Sequence, residues 1–172
     1  MAKVSLSIRT KDTESVPEDA IPWQALADTV LEDTFKPYFK NHEVVVSFVE
    51  AEEIKELNRL YRYNNEVTDV LSFNTIGSLS SDLEKFEDLT PDPEHDSEDS
   101  SLGDIVICLT KAQAQAEKRG CKLADEVAML FVHGMLHLLG YDHATREEAE
   151  QMFGLQNEIL AKYNYPVRIK CS

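Results

Sequence analysis

No apolar run in this chain of 172 residues approaches the roughly 18 residues that a membrane-crossing helix requires. Its start, Met1 to Thr10, alternates polar and apolar residues and lacks the basic opening and apolar centre of a signal peptide. Cysteine is scarce: Cys108, Cys121 and Cys171 are odd in number, far apart and without a C-x-x-C pair. That excludes a disulfide framework and suits a reducing compartment, so the expected location is cytoplasmic, with no membrane partner. Free thiols in such a setting serve mainly as small buried hydrophobes. Internal repeats are absent as well, so one fold plan has to account for the chain.

Positive charge is also in short supply. Seventeen Lys and Arg stand against 32 Asp and Glu, a net charge of −15. Proteins that grip phosphate backbones usually carry basic surface, so this balance opposes broad electrostatic attachment to nucleic acid. The excess is uneven, however. Between Asp82 and Asp99 lie nine acidic residues and the single Lys85; without that stretch the count is 16 basic and 23 acidic, or −7. About half of the imbalance is therefore local.

With 42% apolar residues, the chain can bury a continuous core, and one domain over residues 1–172 is expected. Val4 to Arg9 alternates as a strand. A helix opens near Pro22, buries Leu26, Val30, Leu31 and Phe35, and stops before Pro37. Val44 to Val49 reads as a central strand, Ala51 to Arg62 as an amphipathic helix broken by Asn64-Asn65, and Thr68 to Phe73 as a further strand. From about 76 to 101 the sequence turns to Ser, Asp, Glu and Pro, a solvated acidic insertion in which His95 is surrounded by carboxylates. Leu102 to Ile107 resumes the sheet. A helix over Lys111–Arg119 ends at Gly120. Leu123 to Leu139 is apolar around most of its circumference and belongs in the middle of the fold. Thr145 and Glu148 form a capping box for a last helix with Met152, Leu155, Ile159 and Tyr163 inward. The expected class is α+β, a single four-stranded mixed sheet packed with helices around that buried helix.

Two of the five histidines, His133 and His137, sit on the most apolar helix. Residues four apart lie about 40° from one another around a helix and roughly 6 Å along it, so both imidazoles can reach one ion. A continuing helix would rotate His143 about 240° from His137, onto the wrong face. Gly140 stands where a left-handed cap can reverse the chain and bring His143 back. Three neutral nitrogens suit zinc, one ion per chain, and leave a fourth tetrahedral position open for water or substrate, as catalytic sites do.

The spacing H-x-x-x-H-x-x-G-x-x-H is that of the metzincin peptidases, but their general base, the glutamate after the first histidine, is here Gly134. The usual peptidase route lacks its proton acceptor. The run His133-Gly134-Met135-Leu136-His137-Leu138-Leu139-Gly140-Tyr141-Asp142-His143 instead resembles the signature of the YbeY endoribonucleases. Leu57-Asn58-Arg59-Leu60-Tyr61-Arg62 with Thr68-Asp69-Val70-Leu71-Ser72-Phe73, and Leu102 to Cys108, resemble two further blocks of that family in the same order.

The resemblance implies a zinc-dependent, single-strand-specific endoribonuclease of 16S rRNA 3′-end maturation and ribosome quality control. Its partners would be rRNA and the ribosomal small subunit or its proteins, with no DNA expected. It further implies His133, His137 and His143 as zinc ligands and Arg62 as a functional arginine. A guanidinium matches phosphate geometry, although an arginine at a helix end can also simply stabilise the dipole. Asp69, Ser72 and Asp104 are candidates to orient ligands or water. Asn74 stands where the family usually has proline, and the acidic insertion is longer than the family's usual connection. The residues available for a basic groove are Arg59, Arg62, Lys111, Lys118, Arg119 and Lys122. Two other readings compete with this one. The chain can be a zinc hydrolase of another substrate class, or a ribosome-associated factor with structural zinc, which usually takes four protein ligands.

Overall fold

Short runs rich in β-branched and other apolar residues pair into one mixed sheet. In the computed structural model, which describes residues 3–36, 42–74 and 101–166, these are β1 (Lys3–Ile8), β2 (Glu43–Val49), β3 (Val70–Asn74) and β4 (Ser101–Cys108), in the order β1-β2-β4-β3. β1, β2 and β4 are parallel, and β3 runs antiparallel along the edge of β4. The interior strands β2 and β4 are almost continuously apolar because both of their faces are covered. Val44, Val46, Phe48, Ile105 and Ile107 enter the main core. On the other face, Val49, Val106 and Cys108 pack with Leu71 and Ile54.

Among the described residues, five helices cover the sheet: α1 (Trp23–Asp33), α2 (Ala51–Arg62), α3 (Leu109–Arg119), α4 (Leu123–Leu138) and α5 (Arg146–Lys162). Ile54 of α2 belongs to the smaller apolar cluster, whereas α1, α4 and α5 contribute to the main core. α4 touches α1, α3, α5, β3 and β4. From Glu126 to Leu138 it is buried everywhere except at its two histidines. The expected α+β class and its element order therefore hold, with the buried helix at the centre. No described helix is long and apolar enough to cross a membrane.

Several boundaries differ from expectation. The apolar spacing places Phe35 in the buried stripe of the first helix, but α1 ends at Asp33, and Phe35 lies beyond it, 88% exposed with φ 58°. The Lys36 amide bonds the Leu31 carbonyl and the Phe35 amide that of Glu32, the two bonds that close a helix through a left-handed residue. β3 begins at Val70 rather than Thr68, and α3 at Leu109 rather than Lys111. Ser101, expected in the acidic insertion, is the first residue of β4. The remainder of that insertion, with His95, and Pro37 lie outside the described residues.

β3 and α4 enclose the region that matters for function, and Gly103 pins them together. At φ 152°, a Cβ on Gly103 would overlap the Phe73 carbonyl oxygen of β3 and lie 2.8 Å from Leu138 Cδ2 of α4. Two side chains tie the same elements: Asn74 Nδ2 donates to the Leu138 carbonyl at 3.0 Å, and Ser72 Oγ to that of Gly134 at 3.3 Å. Gly103→Ala is expected to lower stability by about 2–3 kcal/mol through overpacking and backbone strain. Urea unfolding measures it, and an unchanged midpoint would contradict the pinch.

Candidate metal centre and cleft

One turn of α4 separates His133 from His137, and their Nε2 atoms lie 3.1 Å apart. The helix then stops abruptly. Gly140 takes φ 94°, its amide bonds the His137 carbonyl at 3.0 Å, and the Tyr141 amide bonds the Leu136 carbonyl at 3.0 Å. This bond pair is the Schellman closure, which a left-handed glycine makes easy. The next turn of chain is held from its far side by the capping box of α5. There the Glu148 amide donates to Thr145 Oγ1 at 3.2 Å and the Thr145 amide to Glu148 Oε2 at 3.1 Å. Between these two fixed ends the chain brings His143 back. Its ring centre lies 5.6 Å from that of His133 and 5.3 Å from that of His137. One nitrogen from each of the three rings falls within 4.8 Å of the others, a group that can hold a metal ion.

Electrostatics favour neutral, lone-pair-bearing rings. Burial lowers the pKa of His133, opposed by its bond to Gln156. Burial, helped by His133 and His143, pushes His137 down to about 4. Gln156 of α5, itself buried, places Oε1 2.9 Å from His133 Nδ1. An amide oxygen only accepts, so Nδ1 carries the hydrogen and Nε2 is left as a lone pair. A hydrogen bond between His137 and the Tyr141 backbone opposes the lowering of the His137 pKa. The two Nε2 atoms, 3.1 Å apart, are spaced so that both can turn a lone pair to one cation. The donor set thus fits a metal ion, with His133, His137 and His143 as its holders. Phe153 walls one side, its ring tilted 27° to that of His133 and 26° to that of His143.

Position 134, where a peptidase of this spacing has its glutamate, faces the sheet. A Cβ there would lie 3.0 Å from Ile105 Cγ2. Glycine thus lets α4 approach β4, and the site has no carboxylate at that point.

The histidines lie on a cleft of about 930 Å3 between β3 and the end of α4. Arg62, the last residue of α2, lines it: Nη2 donates to the Ser72 carbonyl at 2.8 Å, and Cζ lies 5.7 Å from the Phe73 ring centre. Asp69 and Ser72 line it too. Asp69 Oδ1 accepts from the Val70 amide at 2.8 Å. Asp104 does not line it. Burial raises its pKa and Glu43 adds to this, while Arg9 opposes, which places it among charges on the sheet. The expected basic groove does not assemble at the cleft. Arg59 pairs with Glu56, Arg119 with buried Glu126, and Arg62 is the only Lys or Arg lining the cleft among the described residues.

Three contributors were not foreseen. Gln156 had a visible signal, a polar residue inside the apolar stripe of α5. Phe153 sits beside Met152 of that stripe and gave less. Lys36, which donates to the Leu139 carbonyl at 2.7 Å and lies 5.8 Å from the Tyr141 ring centre, gave none.

Three converging histidines beside an arginine in an open cleft form the kind of centre that metal-dependent hydrolases use. The chain belongs to the YbeY endoribonuclease family, whose model, described as Endoribonuclease YbeY, matches residues 7–164. It is 42% identical over 152 residues to an endoribonuclease YbeY of a Thermoanaerobacter species, covering 85% of this chain and 91% of the relative. It is 39% identical over 137 residues to that of Acholeplasma laidlawii, covering 80% and 86%. A solution structure of a Thermotoga maritima protein is similar over 95% of this chain and 91% of the other, with 24% identity and a TM-score of 0.49.

The Gln156 contact is testable through metal affinity. Gln156→Leu is expected to weaken zinc binding by about 10- to 100-fold, the usual effect of losing a ligand's outer partner. Gln156→Glu, whose carboxylate accepts the same hydrogen, should restore it. Calorimetric titration reads both, and wild-type affinity in the leucine variant would exclude the role.

Proposed function

We propose that this chain is a zinc-dependent, single-strand-specific endoribonuclease that acts in 16S rRNA 3′-end maturation and ribosome quality control. The observation that carries it is the convergence of His133, His137 and His143 beside Arg62 in one cleft, in a chain of the YbeY endoribonuclease family. Residues 1–172 act as one metallo-hydrolase domain in the cytoplasm. Its partners are rRNA and the ribosomal small subunit or its proteins.

His133, His137 and His143 would hold one zinc per chain, three protein ligands as in catalytic sites. Zinc held there would supply Lewis acidity, lowering the pKa of water towards about 7 and polarising a phosphoryl oxygen. Arg62 spends one N–H on the Ser72 carbonyl, which fixes the plane of its guanidinium and leaves its other donors for a phosphate. Gln156 holds His133 in the tautomer with Nδ1 protonated, and the Tyr141 backbone steadies His137. Phe153 shields the rings from water on one side. A peptide substrate fits less well because the glutamate position of the peptidase mechanism is Gly134, packed on Ile105.

Incubation with 16S rRNA precursor or single-stranded RNA, alongside His137→Ala and Arg62→Glu, is the direct test. Wild-type protein is expected to cleave and to contain about one zinc per chain. Arg62→Glu should keep the metal and lose about 10²–10³ in rate, the scale of one preorganised donor to developing charge. His137→Ala should lose both metal and activity, and chelation should abolish wild-type cleavage until zinc is returned. Equal cleavage by all three proteins would show a contaminating nuclease and end this reading.

A further inference from the structure

The end of α2 carries exposed rings that the metal centre does not use. Tyr61 is 60% exposed and Tyr63 93% exposed, either side of Arg62. Tyr63 is the C-cap of α2 at φ 56°, a left-handed backbone where glycine or asparagine is the usual occupant. Asn64 follows directly but does not take that position. The turn is rigid: Asn58, buried, donates through Nδ2 to the Glu66 carbonyl at 3.0 Å, and its own carbonyl accepts from the Asn64 amide at 3.3 Å. Tyr61 lines the cleft, braced by Phe73 with ring centres 5.2 Å apart and planes at 66°. A strained backbone thus holds the Tyr63 ring in water, directly after a residue that lines the cleft.

Charge narrows what can bind there. Arg62 lines the cleft against Asp69 and Asp142. Arg9, Arg59, Arg119 and Arg146 are engaged by Glu53, Glu56, Glu126 and Glu150, and the whole chain is at −15. A ligand gripped along many phosphates does not suit this surface. One that offers a single anionic group to Arg62 and flat faces to the two tyrosines does, and that is a nucleotide with an unpaired base. In a duplex those faces are already covered by stacking.

We propose that Tyr61 and Tyr63 form a stacking platform for unpaired bases on either side of Arg62, so that this chain holds RNA mainly by its bases. The proposal rests on the endoribonuclease reading above and adds how the strand is held. Aromatic stacking tolerates any base, so the platform confers preference for single strands without preference for sequence.

The test is fluorescence anisotropy of a fluorescein-labelled oligoadenylate RNA and of an abasic strand of equal length, with cleavage followed in parallel on gels. Tyr63→Phe should bind the oligoadenylate within about twofold of wild type, whereas Tyr63→Ala and Tyr63→Gly should bind about 5- to 150-fold more weakly, the range of one base–aromatic stack. Tyr63→Gly should also melt at a higher temperature, because it relieves the left-handed strain. That combination separates a lost contact from a damaged fold. The abasic strand should bind weakly to every variant, and the salt slope should be no steeper than about −1.4, or two phosphates at about 0.7 each. Wild-type affinity in Tyr63→Gly, or equal affinity for the abasic strand, overturns the platform while continued cleavage leaves the endoribonuclease reading standing. Wild-type protein that neither binds nor cleaves single-stranded RNA overturns both.

Discussion

Helix α4 lies so close to the sheet that even a methyl group at Gly134 would press on Ile105 at 3.0 Å. Most of the structure follows from that approach. A helix buried on this scale cannot hold its polar groups in water, so its histidines have to find partners within the protein. His133 finds Gln156, and His137 finds the Tyr141 backbone. The same burial keeps both rings neutral. Close packing therefore creates the tautomers, the protonation state and the position that metal ligation requires, and the Gly103 pinch carries the arrangement across to β3.

The parts legible in the sequence are those governed by local periodicity. His133 and His137 follow from the helical repeat, His143 from the glycine that ends it, and α5 from its capping box. Their partners lie within a few residues, so spacing alone places them. What escaped depends on contacts between distant segments or on a residue in an unusual backbone. Gln156 meets His133 across 23 positions. Asp104, read as a possible ligand-orienting group, belongs to an interior strand, where its position depends on β1 and β2 more than on its neighbours in sequence. Phe35 continued the apolar spacing of α1, but the chain leaves the helix in a left-handed turn before reaching it. Asn64-Asn65 pointed to the right place for the end of α2 and the wrong residue, since Tyr63 takes the left-handed position.

The acidic composition looked like the strongest objection to a nucleic-acid substrate, and the structure changes its meaning. Surface arginines are matched with glutamates, so the described surface around the cleft is not organised as a phosphate track. Arg62 is held at the cleft by a backbone carbonyl rather than by a carboxylate, and its charge remains available. One well-placed guanidinium in a cleft is enough to position a single phosphate, whereas a uniformly basic face would hold any polyanion. Under the proposed function, low net affinity for phosphate becomes a filter against duplexes and other polyanions.

Tyr63 and Phe35 share a feature that a fold selected for stability alone would lack. Each is an aromatic residue in left-handed backbone, almost fully exposed, next to a cation: Arg62 before Tyr63, and Lys36 after Phe35. Lys36 in turn reaches the Leu139 carbonyl at the closing turn of α4. A left-handed aromatic typically costs about 1–3 kcal/mol, and its exposed ring returns nothing from burial. Glycine would remove the strain at either position without loss of any described packing. Both turns set a cation next to the strained ring, Arg62 on the cleft and Lys36 at the closing turn of α4. Each strained residue thus adjoins a cation that reaches the cleft or the turn beside it, Arg62 on the cleft and Lys36 over the cleft-lining Tyr141, the pattern expected where stability has been given up for a working surface.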